Sequence, residues 1–379
     1  MKIRHIITVI ALVACTAQVG AQNIFSRIYH NWLVKPRNVD STYIYQQQLG
    51  FSPSLTGNFG QQSVRLTTTY DIDELPYLDE NGDEIMVQNV RIIFNDRMKE
   101  SPSSRAGFNL ALGRLGFGWS FELMPDSRQQ SSAFTFSFRG NKFGLNVNYL
   151  NFTQSIVEDV EIQPSEIFGI DLDTYTIDSN SLRRLTIDGF YVINTRRFAY
   201  PPGIAGNMVQ LRSAGSWLLA ARYMQGDLLM NPDNSFANYS MTQGSLGCGY
   251  SYTWVPWSRQ PRFDGSGMYT FFINGTVIPM LTVLNHLTIY PNGDLVNFMA
   301  ADKRSVFCWP TPNLLVNATV GFSWSKFYLG AQFNYNVFQF NTRNAISPDE
   351  LHLSDDGSTL NTMGLLYEWN IGLKFQACF

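Results

Sequence analysis

Charge is scarce in this chain. Of its 379 residues only 15% are Asp, Glu, Lys or Arg, against roughly a quarter in soluble domains, so a surface built mainly of ionised side chains is excluded. Histidine is rarer still, four in all. Beyond His5 these are His30, His286 and His352, and none stands in a His-x-Ser pair or a readable Ser-His-Asp set. No enzyme is therefore expected, with His286, beside Asn285 and Thr288, the least poor candidate for a lipid-modifying site at a membrane rim. Four cysteines, Cys15, Cys248, Cys308 and Cys378, show no metal-ligand spacing, so no metal is expected, and no cofactor either. There is no run of 18 uninterrupted apolar residues, which excludes a transmembrane helix. The best candidate, Met268 to Leu284, is broken by Asn274, Gly275 and Pro279 and is rich in β-branched residues, so it reads as strand. A basic excess is also missing, with 27 Lys and Arg against 30 Asp and Glu, and nothing argues for nucleic acid.

What is present is apolar and aromatic: 45% hydrophobic and 14% Phe, Trp and Tyr. Residues 1–21 read as a secretory signal, with Lys2, Arg4 and His5, an apolar core from Ile6 to Ala14, and Val19, Gly20 and Ala21 before a cut at Gln22. A rival cut exists, because Leu12-Val13-Ala14-Cys15 looks like a lipobox that would leave a lipidated Cys15. Without Lys2 and Arg4 the mature chain holds 25 basic and 30 acidic residues, and three cysteines, an odd number. Residues 22–60 are expected to be a periplasmic segment. Ile24, Phe25, Ile28, Tyr29, Trp32 and Leu33 recur at helical spacing there and predict a short amphipathic helix over 23–34.

From residue 61 onward a period of two dominates. At the far end Met363, Leu365, Tyr367, Trp369, Ile371, Leu373, Phe375, Ala377 and Phe379 alternate with Gly364, Leu366, Glu368, Asn370, Gly372, Lys374, Gln376 and Cys378. Strict alternation is a strand between two environments, and an aromatic row opposite Glu368 and Lys374 fits a wall between lipid and a polar lumen. Twelve such strands are predicted, near 61–70, 104–112, 115–123, 131–139, 142–154, 183–197, 210–225, 244–255, 267–284, 312–323, 326–340 and 362–379. The face opposite the aromatics is mostly Gly, Ser, Asn and Thr, where a soluble β-sandwich would show charge. The fold class is thus all-β, a transmembrane antiparallel up-and-down β-barrel of about 12 strands (10–14) over residues 61–379. The even count places both barrel ends in the periplasm. Long connections at 71–103, 155–182, 226–243, 285–311 and 341–361 then fall outside, and short turns at 113–114, 140–141 and 324–325 inside. A further strand at 45–56 would upset the parity. Residues 71–84 hold seven acids, with an echo of a calcium loop at Asp79, Asn81 and Asp83, but without Gly or a bidentate Glu at the right places. They read as a solvated outer loop, with divalent-cation bridging to lipopolysaccharide as the alternative.

Two resemblances sharpen this. Asn370, Gly372, Phe375 and Ala377, ending on Phe379, resemble the C-terminal signal read by the barrel assembly machinery. Asn194, Arg197, Phe198 and Tyr200, followed by Gln210, Ser213, Ala214, Gly215 and Ser216, resemble the N-x-x-K/R-F-S and Q-x-x-S-A-G-S pair of an uncharacterised outer-membrane β-barrel family of Bacteroidota (domain of unknown function 4421), with Ala199 in place of the usual Ser. Asp40-Ser41-Thr42-Tyr43-Ile44 looks like that family's entry segment. The resemblance implies fold and location in the cell outer membrane, among outer-membrane lipid and lipopolysaccharide, and no mechanism.

Candidate chemistry lies on the lumen side. If Leu185, Ile187, Tyr191 and Ile193 face lipid, Arg184, Asp188, Asn194 and Arg196 face inward, and Trp217, Leu219 and Tyr223 put Arg212 and Arg222 inside. An Arg facing lipid at mid-depth would cost roughly 2–4 kcal/mol, which decides the direction. Arg65, Arg139, Glu122, Glu368 and Lys374 complete a charged interior. It is either a hydrogen-bonded network that fills a narrow barrel or a selectivity ring for an anionic or zwitterionic solute. The first functional reading is a passive channel or small-solute transporter. The alternative is a closed structural or adhesion barrel acting through its extracellular loops, and a rim enzyme comes third.

Overall fold

The computed structural model describes residues 38–46, 50–78, 82, 84–98, 102–123, 130–140, 142–163, 174–200, 208–229, 237–261, 267–291, 304–342 and 359–379. The expected leader with Cys15, the helix over 23–34, His30, His352 and most of the acidic cluster's tip, Asp79 to Asn81 and Asp83, lie outside these residues. The described chain holds sixteen strands: β1 (Ile44–Gln46), β2 (Phe51–Leu78), β3 (Glu84–Met98), β4 (Ser103–Leu112), β5 (Leu115–Glu122), β6 (Gln130–Arg139), β7 (Phe143–Gln163), β8 (Thr174–Val192), β9 (Met208–Gln210), β10 (Ala214–Leu229), β11 (Ala237–Arg259), β12 (Tyr269–Pro291), β13 (Arg304–Phe307), β14 (Pro312–Trp324), β15 (Phe327–Asn341) and β16 (Thr359–Ala377).

Twelve of them close into a ring. Strands β2, β4, β5, β6, β7, β8, β10, β11, β12, β14, β15 and β16 pair in that order, all antiparallel, and β16 returns to β2 from Gln376↔Ser54 to Thr359↔Asp71. The Phe379 amide adds a last rung by donating to Phe51 O at 2.9 Å. Closure removes every free strand edge from the ring. The tight turns lie at one end, here the turn end. Gly113 takes φ 60° between β4 and β5, and Ser325 takes φ 49° between β14 and β15.

The opposite end departs from the sequence expectation. Residues 71–103, expected as a loop, contain the last eight residues of β2 and the whole of β3, and strands also extend into the other predicted outer connections. The segment near 45–56 does not break the parity, because Phe51 onward belongs to the same strand as 61–70. The barrel wall thus begins ten residues earlier than the predicted boundary. Strands β4, β5 and β6 are short, 10, 8 and 10 residues. Beyond their upper ends β3 alone spans the gap, pairing with β2 on one side and β7 on the other. One strand replaces three, so the wall narrows.

Both faces of the wall change chemistry at that height. On the turn-end half the outward side chains are large and apolar on every ring strand, for example Leu55, Trp119, Trp217, Tyr250, Val277 and Leu373, each at least 44% exposed. The inward residues there are polar, as in Ser52, Ser54, Thr56 and Asn58 of β2. Further up β2 the pattern inverts: Arg65 points out and exposed, while Val64, Leu66, Tyr70 and Ile72 point in and are buried. Strand β10 does the same, passing from exposed Trp217 and Leu219 to Gln225 outside and buried Met224 and Leu228 inside. The molecule is therefore two storeys of one barrel. The turn-end storey has the polarity of a membrane barrel, and the loop-end storey that of a soluble one, polar out and apolar in.

Candidate functional site

The loop-end storey is filled. Leu150 and Phe152 of β7, Leu182 of β8, Met224 and Leu228 of β10, Tyr239 and Met241 of β11, Leu287 and Ile289 of β12, Phe338 and Phe340 of β15 and Leu366 of β16 form one buried cluster, none more than 2% exposed. A water-filled pore at this height would leave inward side chains accessible. Instead they meet across the ring. Tyr239 Oη sits 2.9 Å from Thr68 Oγ1 on the far wall, and the Phe340 ring covers Gly364 of the neighbouring strand so closely that a Cβ there would lie 1.8 Å from its tip.

Beneath this core lies an ionic layer. Arg184 Nη2 binds Glu368 Oε2, and β8 and β16 are six strands apart in a ring of twelve, so this ion pair crosses the full diameter of the lumen. Asn336 Nδ2 donates to Glu368 Oε1 at 2.7 Å and Gln62 Nε2 to its Oε2 at 3.4 Å. Arg222 grips Asp188 with two bonds, Nε to Oδ1 at 2.5 Å and Nη2 to Oδ2 at 3.2 Å. Both guanidinium groups lie over the Phe338 ring, at 5.6 and 5.1 Å, a cation–π contact that joins the layer to the core. Arg105, on the inward face of β4 close to Glu368, Arg184 and Glu122, belongs to the same cluster, and sequence reasoning missed it.

On the turn-end side of that layer is a chamber of about 410 Å³. Its lining includes Arg139, Lys374, Arg114, Arg222, Asp188 and Glu368 together with asparagines from seven strands, among them Asn58, Asn109, Asn146, Asn274, Asn334 and Asn370. Asn334 Nδ2 donates to Asn370 Oδ1 at 2.8 Å and Gln332 Nε2 to Asn334 Oδ1 at 2.9 Å. The amides thus form a partly self-bonded polar wall.

Of the predicted lumen residues the structure turns Arg184, Asp188, Arg222, Arg139, Glu122, Glu368 and Lys374 inward. Arg196 and Arg212 are corrections. Both are exposed at the turn-end rim, beyond the last paired residue of β8 and before the first of β10, where alternation no longer dictates direction. Arg212 instead lies over the Tyr43 ring at 6.0 Å and Arg197 over the same ring at 5.1 Å. Arg65, also expected inside, is exposed on the outer face near Tyr367.

The recognised motif closes the turn end. After β8 the chain folds under the ring, burying Phe198 and Ala199, and packs Tyr200 edge-on against Phe190 at 4.8 Å. Gln210, wholly buried, accepts the Ala199 amide at 2.8 Å on Oε1, and its Nε2 donates to Arg197 O at 2.7 Å, Arg212 O at 2.8 Å and Tyr43 O at 3.3 Å. Asn194 donates through its backbone to Ser216 Oγ at 2.9 Å and through Nδ2 to Gly215 O at 3.1 Å, and Ser213 Oγ accepts Val255 N at 2.9 Å. Ala214 packs against the Phe198 cluster. The Asp40–Ile44 segment docks on this plug. Asp40 Oδ1 caps Thr42, the Asp40 amide donates to Arg196 O, and β1 pairs with β9. These motif residues thus hold the turn-end plug together, and Tyr200 also lines the chamber.

The remaining candidates are placed as follows. Asn370 and Gly372 face the lumen, Phe375 is exposed and stacks on Phe327 at 6.1 Å, Ala377 pairs with Phe327, and Phe379 is 70% exposed. His286 Nε2 lies 2.9 Å from Ser305 Oγ, which is 2.9 Å from Thr288 Oγ1. This outward-facing contact was invisible in a sequence that separates its ends by 19 residues.

The sequence profile of the family described as Domain of unknown function (DUF4421) matches residues 79–352, which span both motif halves of the plug and most of the ring. The chain belongs to this family. The matched segment includes Asn194 to Ser216, while Asp40–Ile44 and β16 lie outside it. No curated protein sequence matches the chain. Among solved structures it is similar to the beta domain of the Bordetella autotransporter BrkA, at 10% identity over 85% of this chain and 99% of that one, TM-score 0.27. It is similar to the outer membrane protease OmpT from Escherichia coli at 10% identity over 86% and 97%, TM-score 0.22. A Pseudomonas aeruginosa FadL homologue is matched at 9% identity over 92% and 100%, TM-score 0.19. At these scores the fold rests on strand order and register, to which the likenesses add nothing.

Proposed function

We propose that this chain is an integral outer-membrane β-barrel whose resting lumen is closed, with a polar chamber on the periplasmic side that receives a small polar solute. The apolar belt around the turn-end storey supports the membrane placement. Strands β4 to β6, 8 to 10 residues long, match the roughly 9–11 residues that a tilted strand needs to span a bilayer. In this reading the loop-end storey stands clear of the bilayer on the outside, and the chain arrives through its predicted leader and the C-terminal signal ending at Phe379.

The observation that carries the closed state is the inversion of the lumen, polar in the turn-end storey and fully buried and apolar above it. It favours, over the passive channel, a compartment that opens only if the core around Phe338 and Phe340 rearranges. Single-channel recording of the refolded protein in a planar bilayer tests this. The expected wild-type trace has no steady conductance, and Phe338→Ala with Phe340→Ala introduces open events. A steady wild-type current overturns the reading.

A further inference from the structure

The amides of the chamber carry hydrogen-bonding capacity that the protein does not use. Asn148 Oδ1 of β7, Asn336 Oδ1 of β15 and Gln376 Oε1 of β16 are buried atoms that accept no hydrogen bond from any described residue, and Arg222 Nη1 of β10 donates none to one. All four side chains line the chamber, and Gln376 is itself only 1% exposed. A buried polar atom without a partner is costly, so four on one wall point to a guest that completes them. They ask for different partners, because the amide oxygens need donors and the guanidinium N–H needs an acceptor. An oxyanion supplies acceptors alone and would set its charge against three amide oxygens. A hydroxyl both donates and accepts, so a polyhydroxylated solute serves all four. The charged groups do not select an ion: Asp188 is held by Arg222 and Glu368 by Arg184 and Asn336, and none of Arg114, Arg139 and Lys374 stands free.

One flank of the chamber is aromatic. Phe190 of β8 and Tyr200 of the plug, packed edge-on at 4.8 Å, both line it. The C–H face of a sugar ring fits such a surface while its hydroxyl rim meets the amides. The approach is from the turn end. The plug leans on β8, β10 and β12 through Val192, Leu218, Ile278 and Met280, whereas on the other side the lining reaches the rim at Ser52, Gly113 and Arg114. At about 410 Å³ the space falls within the roughly 300–1,000 Å³ of small-molecule sites.

We infer that the chamber binds a neutral sugar, a mono- or disaccharide, through hydroxyl contacts to Asn148, Asn336, Gln376 and Arg222 and ring contact with Phe190 and Tyr200. This rests on the chamber being a solute compartment, as argued above, and adds the class of solute.

The test is saturation-transfer NMR on the refolded barrel in an amine-oxide detergent, which has no sugar headgroup, with glucose and maltose as probes and citrate as the anionic control. Glucose or maltose is expected to bind saturably and citrate neither to bind as tightly nor to displace it. Asn148→Leu and Gln376→Met, close in volume to the residues they replace, are each expected to weaken the sugar by about fivefold, the loss of one neutral hydrogen bond. Arg91→Gln, on the outer face, leaves binding unchanged. Heat-modifiable gel migration establishes that each variant is folded, and either of the two amide variants decides the matter if the other does not fold. Sugar binding that keeps its affinity in the folded amide variants overturns the inference. Citrate bound more tightly than either sugar overturns the class of solute and leaves the compartment standing, whereas a folded barrel that binds none of the three probes overturns the compartment and the inference with it.

Discussion

Gln210 shows how much one side chain decides at the turn end. Its amide serves four backbone groups from three segments, Tyr43, Arg197 to Ala199 and Arg212. Removing it leaves buried backbone groups without partners, at about 1–3 kcal/mol each in full desolvation. Gln210→Ala is expected to lower the unfolding midpoint in urea and to expose residues 194–213 to protease while the ring strands stay protected. Equal protection in both proteins would remove the plug role. The letters of this motif were legible in the sequence, but its role was not, because its partners are main-chain atoms that only the folded loop brings near. Arg184 and Glu368 teach the same lesson. Alternation turned each inward correctly, yet their pairing across the diameter followed from ring closure. Replacing Arg184 alone with Met removes the charge paired with Glu368, which keeps Asn336, Gln62 and the nearby Arg105, and is expected to cost up to about 3–5 kcal/mol, whereas Arg184→Met with Glu368→Leu together costs less; equilibrium unfolding of both variants compares them.

Strand β3 is the element that sequence reading lost. Its residues alternate, Val90, Ile92, Phe94 and Asp96 inward, but the seven acids of 71–84 made the region look like loop, and the structure breaks the alternation at Asn89, which takes φ 57°. Its consequence is a carboxyl pair. Asp96 stands directly opposite Glu158 of β7, both are buried, and they share the apolar storey with Tyr239. Burial, and then the facing Glu158 carboxyl, push Asp96 well above the ordinary value of 3.8. The folded state therefore holds a proton that the unfolded chain has already released, and folding stability falls as pH rises above the ordinary carboxylate value, while below it the contribution is flat. Asp96→Asn with Glu158→Gln keeps the site neutral at every pH. Hydrogen exchange of the β3 amides between pH 4 and pH 8 is expected to quicken in the wild type beyond intrinsic rates and to stay level in the double variant. Identical profiles would mean that the pair does not titrate in that range.

At the scale of the whole molecule the apolar belt fixes how the barrel sits. Trp119, Trp217 and Trp254 are all more than half exposed on the outer face of the turn-end storey, whereas the loop-end storey is polar outside. In vesicles, lipids brominated along the acyl chain are expected to quench single-tryptophan proteins retaining Trp119 or Trp217 strongly. A tryptophan placed at Arg65, one storey up, should be quenched little. Equal quenching at both heights would put the whole barrel wall in lipid and remove the two-storey reading.

The sequence by itself determined the fold class, the antiparallel order, the even strand number, the tight turns and the inward direction of seven charged residues. All of these follow from a period of two and from turn chemistry, which are local. Only the tertiary structure decided that the lumen is closed. Two facts produce that: β3 takes the place of three strands, so the ring shrinks, and the residues that then face each other, such as Phe338 and Arg184 or Tyr239 and Thr68, sit more than a hundred positions apart. Alternation reports which side of a wall a residue occupies, and says nothing of what stands on the opposite wall.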